Sequence, residues 1–458
     1  LKFENSHFRR SLDVKISNGN VGGITKFKLF NPESREGDNE IFITELLREF
    51  NILSPKTQKI YVSVNGIKNE YLFQEKIVKE FLENNLRREG PIFEGSEELL
   101  WNNRLNYLAE SISLIELDNP NFIKNDYDKL ELVLKSYKKL QDVYLDYVTN
   151  IFVKNGETII LDIKGLSNNS SNLLNKWKNF ELLMIASNSG HGLRPHNRKF
   201  FWNSLQVGFE PIYYDGTPLM NNENILYVNN YVFQHLNKFI DNEDINNFKK
   251  QISYKNNLIF YNKLRERGAN LSKKDVKILF KKLQKKLDKI NLEIKNSTDL
   301  KEYNYESSNI KKYREILKTL NFELNTISVL EIDRKNDFIL IEECKNNCTF
   351  EKRKLAYIYE LLKNDKLNND KKISFIDHSL NQEINKQIIS LGSTNLDILY
   401  AKNLKFKIID NKTIEFNQTN NTDWIVIRNT DLKNLRIIFK GSKKGIHNTG
   451  LNDNNITN

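Results

Sequence analysis

The chain has 458 residues, of which 39% are hydrophobic and 28% are charged. This balance excludes an intrinsically disordered protein and provides enough apolar side chains for several buried cores. Lysine and arginine number 70 against 59 acids, so the net charge of +11 favours anionic partners such as nucleotides or acidic polymers. No apolar run approaches the roughly 18 residues that a membrane span needs, and we expect none.

The first part of the chain alternates between strand patterns and one helix pattern. The predicted strands are 11–17, 25–30, 58–64 and 69–74, with a glycine-rich turn between the first two. Residues 40–50 carry apolar side chains at helical spacing behind a capping Asp38 or Asn39. Asn65-Gly66 favours a tight hairpin turn between the last two strands. The order is therefore strand, strand with lysines, helix with acids, and hairpin.

The middle of the chain is predicted to be mainly helical from 96 to 190. It includes a helix at 127–148 and a short hairpin around Asn155-Gly156. A helical segment follows at 223–320. Within it, 272–295 places apolar residues three or four apart and presents lysines on the opposite face.

The lysine-rich helix at 272–295, which Ser272 can cap, allows two interpretations. A dense row of lysines can bind an anionic polymer, but it is more often a solvated helix face. The helix lacks the interleaved aromatic residues of a stacking platform, so nucleic acid is the partner that we expect least.

Strand patterns dominate from residue 321 and define a third module at 321–458, whose spacing suggests the start of a β-solenoid. The predicted strands are DFILIEE, KISFIDH, LDILYAKNLKFKIID, TIEFNQ, DWIVIRN and LRIIFKG. Cys344 and Cys348 are too few for a disulfide scaffold or a four-cysteine zinc site. We expect free thiols, with a local bridge as the alternative.

Residues 196–216, HNRKFFWNSLQVGFEPIYYDG, predict an aromatic hairpin with an asparagine at one end and an aspartate at the other. A hairpin can bring its two ends together, so Asn197 and Asp215 could share one metal site. Their side-chain oxygens suit a hard cation such as Mg²⁺. Phosphoryl transfer uses such an Asp and Asn, together with a lysine on the phosphates and a helix acid that positions the lysine. The alternative is an ordinary cap and an ordinary turn.

The first part of the chain offers candidates for the lysine and the helix acid. The lysines are Lys28 and Lys26, and the acids are Glu40, Glu45 and Glu49. Glu75 follows the hairpin, where a linker to a second lobe would begin. The glycine turn does not match G-x-G-x-x-G, and neither HRD nor DFG occurs in the chain.

Four segments together resemble the spore-coat protein H (CotH) kinase family over roughly residues 1–220. They are KFKLFNPESR (26–35), NEIFITELLREFNI (39–52), VSVNGIKNEYLFQEKIVKEFLENNLRREGPI (62–92) and HNRKFF...FEPIYYDG (196–216). The resemblance implies an α+β fold with a bilobal, atypical protein kinase-like domain at 1–222. It also implies a secreted or cell-surface protein that uses ATP with Mg²⁺ or Mn²⁺ and phosphorylates a protein substrate on an exposed serine.

The resemblance assigns roles to individual residues of this chain. Asp215 and Asn197 match the metal-binding aspartate and asparagine, and Glu75 matches the acid after the hairpin. Lys28 is the preferred phosphate-binding lysine, with Lys26 and Lys15 as rivals. Glu40 and Glu49 compete as its helix partner.

The chain departs from the family where many members carry an aspartate, the expected base, shortly before the asparagine. The stretch IASNSGHGLRPHN (185–197) contains no acid. By residue type His191 and His196 could accept a proton near neutral pH, and Arg194 could steady a phosphate. The alternative function is a catalytically degenerate kinase-like scaffold or surface-binding protein.

Overall fold

A computed structural model describes most of the chain. The described residues are 2–4, 7–9, 11–97, 114–124, 126–152, 160–226, 228, 230–297, 309–344, 348–363, 372–378, 384–392, 394–401, 405–417, 425–427, 435–440 and 456–457. Helices and mainly antiparallel sheets alternate, which confirms the predicted α+β class.

The helices, in chain order, are α1 (Asp38–Glu49), α2 (Lys79–Asn84), α3 (Tyr127–Asp146), α4 (Ile163–Ser167), α5 (Ser171–Ala186), α6 (Asn230–Asn237), α7 (Asn242–Lys255), α8 (Leu258–Glu266), α9 (Lys273–Asn296), α10 (Asn309–Thr319) and α11 (Leu355–Lys363).

The strands are β1 (Lys2–Glu4), β2 (His7–Arg9), β3 (Leu12–Lys15), β4 (Lys26–Phe30), β5 (Thr57–Val64), β6 (Ile67–Glu75), β7 (Ile92–Gly95), β8 (Ile115–Leu117), β9 (Lys199–Asn203), β10 (Gly208–Ile212), β11 (Glu323–Asp333), β12 (Phe338–Cys344), β13 (Cys348–Lys354), β14 (Lys372–His378), β15 (Ile384–Leu391), β16 (Thr394–Ala401), β17 (Lys405–Asp410), β18 (Thr413–Asn417), β19 (Ile425–Ile427), β20 (Arg436–Lys440) and β21 (Ile456–Thr457).

The chain divides into two compact units. The first comprises Leu1–Phe122, Lys139–Ile316 and Leu362–Lys366, and the second comprises Ile123–Lys138, Leu317–Leu361 and Leu367–Asn458. The boundaries 1–222, 223–320 and 321–458 stay a prediction.

The first sheet of the first unit has the antiparallel order β3-β4-β6-β5. It confirms the strand patterns and the hairpin that were predicted from the sequence. Asn65 and Gly66 have φ values of 51° and 82°, the left-handed pair that a two-residue hairpin turn requires. Alternation buries Phe27 and Leu29 on one face and leaves Lys26 and Lys28 half-buried on the other.

Helix α1 is the predicted acidic helix, and its apolar side chains are fully buried. The Phe42 ring meets the rings of Phe260 and Phe280 at edge-on angles, with centroids 5.4 and 5.2 Å away. These contacts pack α1 against α8 and α9 in the first unit, because aromatic pairs favour edge-to-face geometry.

The second sheet of the first unit has the antiparallel order β10-β9-β7-β8. The β9–β10 hairpin confirms the aromatic hairpin, and its Phe200, Trp202 and Phe209 pack on one another. The indole nitrogen of Trp177 on α5 donates to the Phe209 carbonyl at 2.7 Å. Strands β7 and β8 were not predicted, and β8 lies inside the stretch predicted as mainly helical. The hairpin predicted around Asn155-Gly156 lies outside the described residues.

Helix α9 is the predicted lysine-rich helix. Ser272 and Asp275 form a reciprocal capping box at its start, as the cap prediction requires. The apolar residues at the predicted three- and four-residue spacing are buried, so the predicted amphipathic pattern is confirmed; they are Val276, Leu279, Leu283, Leu287, Ile290 and Ile294. No helix among the described residues is both long enough and apolar enough to cross a membrane.

The second unit carries most of the late strands, in sheets of order β13-β12-β11-β14, β15-β16-β19 and β17-β18-β20-β21. Helix α11 interrupts the region predicted as strand-rich, and the predicted strand at 396–410 is divided between β16 and β17. A β-solenoid beyond these sheets stays a prediction. The expectation of free thiols is wrong, because Cys344 and Cys348 face each other across the β12–β13 pair and form a disulfide.

Candidate functional site

A cleft of about 590 Å³ is lined by residues of the first and second sheets. The first sheet contributes Lys26, Lys28, Gln74 and Glu75, the second contributes Glu94 and Lys199, and the adjoining loops contribute Asp118 and Tyr214. Of the residues predicted for the site, three therefore line this cleft. The predicted metal ligands are not part of its lining, although Tyr214 directly precedes Asp215.

The two predicted lysines of β4 are available to an anion. Within the described part of the chain, neither Lys26 nor Lys28 has an ion-pair partner. The Lys28 ammonium lies 5.9 Å from the ring centroids of both Phe30 and Tyr214. Aromatic faces favour a cation, but they leave its hydrogen-bond donors free for phosphate oxygens.

Glu40 on α1 is fully buried beside the first sheet. Its carboxylate accepts hydrogen bonds from the Tyr213 hydroxyl at 2.6 Å and from Gln74 at 3.0 Å. Gln74 of β6 lies opposite Lys28 of β4 in the register of these two strands. Gln74 therefore connects Glu40, to which it donates, with the strand that pairs with β4. Burial raises the pKa of Glu40, against the lowering effects of Tyr213, Arg35 and Gln74.

Glu49, the competing helix acid, is directed elsewhere. It forms ion pairs with Lys255 on α7 and Lys263 on α8. Burial tends to raise the pKa of Glu49, but the hydrogen bonds from these two lysines outweigh it and lower the pKa. Of the two candidates, Glu40 therefore faces the sheet that carries Lys28, and Glu49 holds the helical segment.

The raised pKa of Glu40 leads to a pH-dependent prediction. An acid with a raised native pKa contributes more to stability when protonated, so its contribution falls as the pH rises above the ordinary carboxyl range. Glu40→Gln keeps the size of the side chain and one of the two acceptor oxygens used by Tyr213 and Gln74, but it cannot ionise. We expect the variant to gain stability relative to the unaltered protein as the pH rises above the ordinary carboxyl range. Urea denaturation at each pH measures the difference, and a difference that does not change with pH would contradict the assignment.

Asp215 at the end of the hairpin contacts Arg35, a residue that sequence reasoning did not select. Arg35 ends the short 3₁₀ turn Pro32–Arg35 and forms an ion pair with the Asp215 carboxylate. Its guanidinium carbon lies 4.5 Å from the Phe30 ring centroid, so the planar guanidinium group is held over an aromatic face. The same charge opposes the raised pKa of Glu40 and lowers the pKa of His191. Arg35 is thus electrostatically coupled to three predicted site residues.

The backbone at Asp215 is held in an uncommon conformation. Its φ of 46° lies in the left-handed region, which an aspartate tolerates better than most residues do. A Cβ on Gly216 would lie 2.6 Å from the Tyr213 hydroxyl oxygen, so only glycine fits against that ring. The Tyr-Tyr-Asp-Gly sequence therefore fixes the carboxylate through the packing of its neighbours.

Asn197 at the start of the hairpin is buried and is oriented by His191. Its amide nitrogen donates to the His191 carbonyl at 3.0 Å and lies 2.9 Å from His191 Nδ1. Because the same nitrogen contacts a carbonyl oxygen, it is the donor, and Nδ1 must be the unprotonated acceptor. Burial, Arg194, His196 and Arg35 lower the pKa of His191 to about 4. In this arrangement His191 is neutral and orients the asparagine, which leaves Oδ1 as the atom for a ligand.

The turn around Asn197 is supported from three sides. Arg198 forms two hydrogen bonds with the buried Glu181 of α5, at 2.7 and 3.2 Å. The Tyr144 hydroxyl donates to the Pro195 carbonyl at 2.7 Å. Gly95 of β7 leaves no room for a side chain, since its Cβ would lie 1.8 Å from the Pro195 oxygen. His196, the second predicted base, is buried within this turn.

Lys199, Glu94 and Asp118 form a charged cluster at the side of the cleft that the second sheet provides. The buried Lys199 ammonium contacts Glu94 and lies 2.8 Å from Asp118. Burial opposes the charge on Lys199, but Asp118 and Glu94 outweigh it and raise its pKa. Burial and the neighbouring acids Asp118 and Glu116 raise the pKa of Glu94 to about 8, although Lys199 opposes them. None of these residues was selected from the sequence.

Glu75 lines the cleft but is already fully engaged. Its two carboxylate oxygens accept hydrogen bonds from the Asn84 side chain at 2.9 Å and from the Lys56 amide at 3.2 Å. These bonds tie the exit of β6 to α2 and to the start of β5. In this structure Glu75 therefore holds the segment that links the two sheets.

Comparison with known protein-family models gives no match for this chain, and comparison with curated proteins gives none either.

Proposed function

We propose that residues 1–222 form a bilobal kinase-like domain that transfers the γ-phosphate of ATP to a serine hydroxyl of a protein. The observation that carries the proposal is the cleft. Lys26 and Lys28 of its first sheet form no ion pair with any described residue, and Tyr214 in its lining directly precedes Asp215. Phosphoryl transfer depends mainly on positioning and charge stabilisation, and this arrangement provides groups for both.

The residues present fit a hard divalent cation. Asn197 Oδ1 and the Asp215 carboxylate would hold Mg²⁺ or Mn²⁺, which would supply charge neutralisation at the phosphates. The amide of Asn197 is already oriented by His191, and Asp215 is already held by its neighbours. Lys28 would contact the phosphates, and Glu40 would hold Gln74 and hence the strand opposite Lys28.

Nucleotide binding is tested by thermal unfolding of the full chain with ATP and Mg²⁺. A ligand at 100 times its dissociation constant stabilises the protein by about 2.7 kcal/mol. We expect the unaltered protein to show that stabilisation. The Lys28→Met variant should lose most of it, although its side chain keeps an aliphatic stem beside Phe30 and Tyr214.

Lys68→Met is the matched control for this experiment. Lys68 also lies beside an aromatic ring, that of Tyr61 at 5.3 Å, but it does not line the cleft. Equal stabilisation by ATP in both variants would contradict the role of Lys28.

A second candidate function is a kinase-like scaffold that does not transfer phosphate. It is favoured by the ion pair that Arg35 forms with Asp215 and by the absence of any acid in 185–197. This candidate predicts one of two results. Either ATP and metal together do not stabilise the protein against unfolding, or they stabilise it but no phosphate is transferred.

A further inference from the structure

The proposed transfer needs a group that accepts the proton of the serine hydroxyl, and the loop at 185–197 has no acid for it. His191 has its Nδ1 lone pair engaged by Asn197. A base must therefore come from an acid that reaches the cleft from another part of the chain.

Glu94 reaches the cleft next to the turn that carries Asn197. It lies opposite Lys199 in the β7–β9 register and opposite Glu116 in the β7–β8 register. The following residue, Gly95, presses directly on the Pro195–His196 backbone and donates its amide hydrogen to the Arg198 carbonyl at 3.0 Å. The backbone of β7 thus runs beside the predicted catalytic turn, and the Glu94 side chain, on the opposite face of the strand from the Gly95 contact, lines the cleft.

The Glu94 side chain is about one-quarter exposed, and that exposed part lines the cleft. The buried Lys199 ammonium holds Glu94 and Asp118 together. A carboxylate held by a buried lysine is fixed in position, and positioning is the first requirement for a general base.

We propose that Glu94 is the general base of this site, in place of the acid that the loop at 185–197 lacks. The inference rests on the proposed kinase function. The serine oxygen forms a bond to the γ-phosphorus of ATP while the bond from that phosphorus to the β–γ bridging oxygen breaks. ADP leaves with the bonding electron pair, and the hydroxyl proton moves to a Glu94 carboxylate oxygen.

The charges around Glu94 set the pH dependence of this step. Lys199 on β9 favours the ionised form, whereas Asp118 after β8 and Glu116 on β8 oppose it, and the buried Tyr144 hydroxyl of α3 is the further titratable neighbour. The resulting Glu94 pKa of about 8 predicts a transfer rate that rises as the pH increases through that value. Glu94 can accept a proton only when its carboxyl group is ionised, and the ionised fraction increases as the pH rises.

The test compares Glu94→Gln with Glu83→Gln in the full chain. Glu83 is an exposed residue of α2, paired with Lys79 at 3.6 Å, and it does not line the cleft. For Glu94→Gln we expect kcat to fall about 100-fold or more, with the rise near pH 8 abolished and the stabilisation by ATP and Mg²⁺ retained. The control is expected to keep both the rate and the pH profile.

A second variant tests the role of Glu94 even if the Glu94→Gln protein does not fold. Asp118→Asn removes a negative charge beside Glu94, and Lys199 then has Glu94 as its one remaining carboxylate partner in this cluster. Both effects lower the pKa of Glu94, so the rise in transfer rate should move to lower pH. Transfer by Glu94→Gln at the unaltered rate, or an unmoved profile in Asp118→Asn, would overturn the role of Glu94 alone. Absence of transfer by the unaltered protein would overturn the kinase function and this inference together.

Discussion

For the proposed kinase, Asp215→Asn is expected to lower the rate of phosphate transfer to serine by about 100-fold or more. The amide keeps the size of the carboxylate and one oxygen ligand, but it loses the negative charge that a divalent cation requires. The change also removes the counter-charge of Arg35, which is about one-seventh exposed and stacked on Phe30. Initial rates with labelled ATP at saturating Mg²⁺ measure the loss.

Asp13→Asn provides the control for the charge change itself. Asp13 forms an exposed ion pair with Lys76 at 2.7 Å, and such pairs contribute little to stability. We expect this variant to transfer phosphate at the unaltered rate. An Asp215→Asn protein that matched it would exclude Asp215 as a metal ligand.

Arg198→Met is expected to lower the free energy of unfolding by about 3–5 kcal/mol. The side chain of Arg198 is 2% exposed and that of Glu181 is fully buried, so the substitution leaves an unpaired carboxylate in the interior. Arg198 also donates to the Leu193 carbonyl at 2.9 Å, and its loss frees the turn that carries Asn197. Urea denaturation measures the stability.

The double variant Arg198→Met and Glu181→Leu separates the unpaired charge from lost packing. It removes both partners, so we expect it to recover much of the stability that the single variant loses. Lys79→Met, which breaks an exposed pair with Glu83, should change the stability by no more than about 1 kcal/mol. A single variant as stable as this control would show that the buried pair does not stabilise the turn.

Local patterns predicted the parts of the fold whose structure depends on neighbouring residues. The alternation in β3 to β6, the Asn65-Gly66 turn and the Ser272 cap each depend on a few adjacent residues. The hairpin that ends in Asp215 was predictable for the same reason. Strands β7 and β8 have only four and three residues, too few for a periodic signal to emerge.

The site residues that were missed come together only through long-range packing. Arg35 meets Asp215, and Lys199 meets both Glu94 and Asp118, across large separations in sequence. No pattern in the chain predicts these contacts, although Arg35 stands inside a segment that carries the CotH resemblance. The choice between Glu40 and Glu49 likewise required knowing which helix face meets the sheet.

The histidines illustrate why residue type alone did not identify a base. Either ring could accept a proton in water, but the lone pair of His191 Nδ1 is taken by an amide that must donate to it. Burial and the electrostatic effects of Arg194, His196 and Arg35 also lower the pKa of its ring. Only the folded environment gives His191 a positioning role.

The most direct test of the kinase function is transfer of label from γ-phosphate-labelled ATP by the unaltered full chain. The protein is incubated with Mg²⁺ or Mn²⁺ and an unstructured serine-containing protein, and the labelled residue is identified by mass spectrometry. The proposed kinase function predicts metal-dependent formation of phosphoserine on the acceptor or on the chain itself. Stabilisation by ATP and metal without any labelled serine would contradict it and would favour the scaffold.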